Sequence, residues 1–130
     1  MGLMRIRLEL GRVPEFPEGS GRHGYEFLAP LTSTGHIDVE GWRAAKGKCT
    51  VVRFWGDDPE EKGLLRHLGH GWRFDYPGRS LSDDEPFFKL DQHKIESGGY
   101  VSVTEHDGVR RPFKIVSIEP ALDIQESVSQ

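Results

Sequence analysis

The chain predicts a mostly β fold: a small antiparallel β-barrel or strongly twisted sheet of about six to seven strands with one short α-helix. Three observations carry that expectation. Short runs of alternating apolar and polar residues recur, as at 4–10 and 100–118. Sixteen Gly and eight Pro are scattered between these runs, which suits many short strands joined by turns and not a low-complexity segment. Helix signals occur in one short stretch only, so the crossover helices of a parallel sheet are missing.

The first strand is 4–10. Met4, Ile6, Leu8 and Leu10 face one way, and Arg5, Arg7 and Glu9 the other, the period of a half-buried strand. Residues 11–24 contain Pro14, Pro17, Gly19 and Gly21 and read as a long loop, the kind of segment that in compact domains is often functional. Extended structure resumes at 25–29 and stops before Pro30. The helix is expected at 38–46. Asp38 is placed to cap it by accepting a backbone N–H bond, Ile37 and Trp42 to staple its start, and Gly47 to end it in the left-handed conformation. About two turns do not hold without packing, so Trp42 is the expected anchor.

Residues 49–55 are rich in β-formers and apolar on both faces, which suits a central strand. Cys49, the only cysteine, is expected to be a small buried side chain at its start; it has no internal disulfide partner, consistent with a reducing compartment. Asp57, Asp58, Pro59, Glu60 and Glu61 read as an acidic turn. Segments 64–68 and 72–76 form a hairpin around Gly69, His70 and Gly71, with Trp72, Phe74 and Tyr76 on one face. A polar loop at 77–86 ends in Asp83, Asp84 and Glu85. Segments 87–90 and 93–95 read as one broken strand or two short ones.

The last hairpin can be read to its register. A three-residue loop, His106-Asp107-Gly108 with Gly108 left-handed, sets Val101 opposite Phe113, Val103 opposite Arg111 and Glu105 opposite Val109. Val101, Val103, Val109, Phe113 and Ile115 then share a face, and a slip of one residue would scramble it. Pro112 lacks an N–H, which points to an edge position or a strand start.

With 130 residues the expectation is a single β-rich domain over 1–123 with a frayed tail at 124–130. Net charge is −4, which gives no footprint for double-stranded nucleic acid. No apolar run reaches the length of a membrane helix, and the N-terminus alternates charged and apolar residues, unlike a signal peptide. A cytoplasmic location is expected.

Function is not encoded in any motif that stands out, and no cofactor is implied. The leading expectation is a small binding or interaction module without catalytic activity, whose partner is another protein or a small polar ligand. Its candidate surface combines the 19–24 segment, where backbone N–H groups with Arg22 and His23 suggest an anion cradle, and the acidic Asp83, Asp84 and Glu85. A metal-assisted hydrolase using Asp83, Asp84 or Glu85 with His93 is the enzymatic alternative, although neither a calcium-loop spacing nor a nucleophile elbow is present. A single-stranded nucleic-acid binder using Trp72, Phe74 and Tyr76 is the third reading. His67, His70 and Asp75 lack the further ligands that a zinc site needs, so no metal is assigned.

Overall fold

Alternating strands pair into one antiparallel sheet, each with a sequence neighbour except where the first strand pairs with the last. The computed structural model describes residues 2–68, 71–76, 85–86, 94–105 and 108–121. Its strands are β1 (Met4–Leu10), β2 (Ser20–Ala29), β3 (Thr50–Trp55), β4 (Asp58–Leu68), β5 (Gly71–Asp75), β6 (Glu85–Pro86), β7 (Tyr100–Thr104) and β8 (Arg110–Pro120). The order across the sheet is β6-β5-β4-β3-β2-β1-β8-β7. One helix, α1 (Val39–Ala44), and a 3-10 turn (Lys46–Lys48) lie between β2 and β3.

The sheet curls into a half-barrel. Tyr25 on β2 meets Phe74 on β5 with ring centroids 4.8 Å apart, and Arg53 on β3 bonds Glu105, just after β7, at 2.8 Å. These strands are three and four places apart in the sheet order, so only a curled sheet brings their side chains together. β6 and β7, at opposite ends of the order, also approach each other.

The inner face follows the predicted alternation. Ile6, Leu8 and Leu10, then Tyr25, Phe27 and Ala29, then Val101, Val103, Phe113 and Ile115 are all buried. Each such large apolar side chain contributes roughly 1.5–3 kcal/mol relative to exposure. Trp72, Phe74 and Tyr76 are 1, 0 and 3 % exposed. The stripe that would stack single-stranded nucleic acid is therefore core, because period-two alternation turns all three rings inward.

The C-terminal hairpin has the predicted register: Val101 pairs with Phe113 and Val103 with Arg111, Glu105 N–H donates to Val109 at 3.0 Å, and Gly108 has φ 83°. Val109 is nevertheless exposed and Glu105 buried. β8 is not an edge, since it lies between β1 and β7. Pro112 is tolerated there because it opposes Ser102 at a non-hydrogen-bonded position of the β7 ladder, while β1 ends opposite Phe113. A bulge at Val116 separates the Arg7–Ser117 and Leu8–Ile115 pairs, which lets Ile115 and Ile118 both reach the core.

Several local expectations are corrected. β2 begins at Ser20, so the predicted loop shortens to 11–19. The acidic residues from Asp58 onward are strand, because Gly56 (φ 61°) closes the β3–β4 turn two residues earlier. The helix spans Val39–Ala44; Asp38 sits at its N-cap without a side-chain capping bond, and Gly47 lies in the 3-10 turn instead of ending the helix. Trp42 anchors it as expected. Its ring is buried, and its Nε1 donates to the Leu65 carbonyl at 2.9 Å. Lys94 and Ile95 are not strand; Ile95 is a buried plug whose N–H bonds the Gly35 carbonyl. Residues 87–93 and 122–130 lie outside the described residues. Among the described residues no helix is long and apolar enough to cross a membrane.

Candidate functional site

The polar chemistry gathers at the end of the half-barrel where β1 ends and β2 begins. Glu9 pairs with Gly24, but Leu10 pairs with Ser20, so Gly21, Arg22 and His23 bulge out of the ladder. Gly24 is required at this crossing, because a Cβ there would run into the Leu8 carbonyl oxygen. Gly19, at φ 77°, turns the chain into β2.

The bulge sends its two predicted site residues apart. Arg22 reaches across the β3–β4 turn to Asp57 at 2.6 Å, both side chains largely exposed, so its charge is met by a carboxylate already. His23 turns to the barrel end, where its ring lies 4.5 Å from Phe16 and 4.7 Å from Trp55. Its Nδ1 shares a 2.7 Å hydrogen bond with the Ser20 hydroxyl, and the Arg22 N–H donates to the same oxygen at 3.2 Å. Burial lowers the His23 pKa from its ordinary 6.5; the positive charges of Arg22 and Arg53 lower it further, and Asp58 opposes them.

The acidic half of the candidate surface, and His93 with it, falls largely outside what the structure describes. Asp83, Asp84 and His93 lie outside the described residues, and for Glu85 the backbone alone is described, paired with Phe74. The His67, His70, Asp75 constellation is also resolved in part: His67 stacks against Trp72 at 4.4 Å, and Asp75 bonds Arg66 at 3.0 Å. The hairpin register explains the separation, since His67 opposes Trp72 while Asp75 opposes Leu64. His70 is outside the described residues.

Beside the bulge lies an open cleft of about 330 Å³, lined by the turn into β2 (Gly19, Ser20, Gly21), by Glu9 and Glu18, and by Arg12, Tyr100 and Lys114. Glu9 is engaged by Arg7 at 2.8 Å. Among the described residues Arg12, Lys114 and Glu18 have no ion-pair partner. The cleft thus offers two uncommitted cations against one uncommitted carboxylate. Arg12, Tyr100 and Lys114 carried no local sequence signal. The β1–β8 register, which sets Glu9 against Lys114, and the β7–β8 register, which sets Tyr100 against Lys114, bring them together.

A second polar group sits inside the barrel. Arg53 Nη2 donates to Glu105 Oε1 at 2.8 Å with side-chain exposures of 8 and 1 %. Glu61 adds a contact at 3.4 Å, and the guanidinium lies 4.3 Å from the Trp55 ring centroid. Burial opposes the charge on Arg53, but the hydrogen bond to Glu105 and the negative charge of that carboxylate outweigh it and hold the group protonated. This cluster is enclosed and joins β3, β4 and the end of β7, which suits a structural strut.

Comparison of the chain with protein-family models, with curated proteins and with solved structures gives no match.

Proposed function

We propose that the chain is a binding module and that the cleft between Gly19, Tyr100 and Lys114 seats a small anionic ligand, a carboxylate or a phosphate. The observation that carries this reading is the pair of uncommitted cations, Arg12 and Lys114, in a cleft of about 330 Å³ whose Glu9 is already neutralised by Arg7. Strands β1, β7 and β8 form much of the wall, so the seat is largely preformed. The anion-binding expectation for 19–24 is retained in a changed form: the backbone segment lines the cleft, while Arg12 and Lys114 replace Arg22 and His23 as the charged partners.

Thermal unfolding tests it. A ligand bound to the folded chain at about twenty times its Kd adds about 1.8 kcal/mol of stability. Acetate or inorganic phosphate, compared with chloride at equal ionic strength, is expected to raise Tm for the native chain. The Arg12→Glu/Lys114→Glu double variant is expected to lose that rise. An equal rise in both proteins, or none in the native chain, overturns the proposal.

A further inference from the structure

We infer that Ser20 is a nucleophile, with His23 as its general base, and that the cleft can hydrolyse carboxylic esters of small polar acids. The inference rests on the cleft being an anion seat, because Arg12 and Lys114 are the groups available there to stabilise a developing oxyanion.

Two observations meet at one hydroxyl. Ser20 lines the cleft, and its Oγ lies 2.7 Å from His23 Nδ1, within the reach that nucleophile activation needs. The base is held in place by rings instead of by a carboxylate. Phe16 lies 4.5 Å and Trp55 4.7 Å from the imidazole, and among the described residues no Asp or Glu is hydrogen-bonded to it. A neutral imidazole can take the hydroxyl proton, so a ring that resists protonation suits the role. The Arg22 N–H, 3.2 Å from Oγ, points a donor at the oxygen as it loses its proton.

The step balances without a redox partner. Ser20 Oγ bonds to the carbonyl carbon while its proton passes to His23 Nδ1. The ester C–O bond breaks, and the imidazolium returns that proton to the departing alkoxide, which leaves as an alcohol. Water then attacks the acyl-serine, gives a proton to Nδ1, and releases the carboxylic acid as Ser20 regains its hydrogen.

The test uses the full chain and a fluorophosphonate probe. Oγ displaces fluoride from phosphorus, leaving an adduct that intact-mass analysis and peptide mapping detect with no knowledge of the natural substrate. The expected result is one adduct, on Ser20, absent from Ser20→Ala. In His23→Gln, with folding confirmed by circular dichroism, labelling is expected to slow about 100-fold, within the range of general-base catalysis. A hydroxyl that only ties the bulge together leaves the protein unlabelled or labelled elsewhere, and either outcome overturns the inference. Cleft binding is read separately from acetate-induced amide shifts in Ser20→Ala. Shifts without an adduct on the native chain retire the nucleophile and leave the seat; an adduct without shifts retires the seat and leaves the nucleophile.

Discussion

Replacing Glu105 by Gln removes one charge from the enclosed Arg53–Glu105 pair and keeps its size and one acceptor. The native pair is 2.8 Å apart, with the partners 8 and 1 % exposed, so solvent screens it little. Removing one member of such a pair costs about 3–5 kcal/mol, because the other charge stays buried. Glu61, 3.4 Å from Arg53 and 29 % exposed, remains as a weaker counter-charge, and the Gln carbonyl still accepts a hydrogen bond. The expected loss is therefore at or just below the lower end of that range, about 2–3 kcal/mol, a large share of the roughly 5–15 kcal/mol that a domain has. Urea unfolding followed by circular dichroism and by tryptophan fluorescence measures it; Trp55, stacked on Arg53, reports locally. Arg53→Met/Glu105→Leu, which replaces both charges with apolar groups, should lose less than the two single variants together. A Glu105→Gln loss below about 0.5 kcal/mol, the scale of an exposed pair, would refute the claim that this pair holds the curled sheet together.

Three further outcomes follow from the same geometry. His23 has a folded pKa below the 6.5 of an unperturbed ring, so the unfolded chain binds more protons as pH falls through about 6.5. That depressed pKa, set by burial, Arg22 and Arg53 against Asp58, makes stability present above this window fall below it; the decline measured between pH 7.5 and 5 should be smaller in His23→Gln, and equal slopes would contradict it. Cys49 is buried and its thiol is pushed up to about 11 by that burial, so a disulfide reagent should modify it at the rate of unfolding, and prompt reaction of the native chain would show the site to be open. Gly24→Ala places a methyl against the Leu8 carbonyl and should cost more than about 2 kcal/mol in urea unfolding; a neutral substitution would mean that the β1–β2 crossing is looser than described.

The strands were legible where alternation and a turn agreed. The C-terminal hairpin could be read to its register because Gly108 takes a positive φ and Val101, Val103, Phe113 and Ile115 share one face. Alternation alone misplaced the start of β2, because Gly21, Arg22 and His23 bulge between two paired positions and carry no apolar period. Glu105 was legible as a residue facing Val109, but its burial depends on Arg53, 52 positions earlier, reaching it across the curl. The candidate site was legible only in its local part. Ser20 and His23 lie three residues apart, yet their meeting depends on the bulge, and Arg12, Tyr100 and Lys114 join them only through the pairing of β1, β7 and β8.

The most direct measurement is a map of backbone amide shifts on the full, isotope-labelled chain as acetate and then inorganic phosphate are added. Saturable shifts confined to Gly11, Gly19, Ser20, Gly21, Tyr100 and Lys114, and lost in the Arg12→Glu/Lys114→Glu variant, are what an anion seat at the mouth of the half-barrel produces. Shifts centred instead on the exposed Arg22–Asp57 turn, or spread evenly over the surface cations, would place the chemistry elsewhere on the chain.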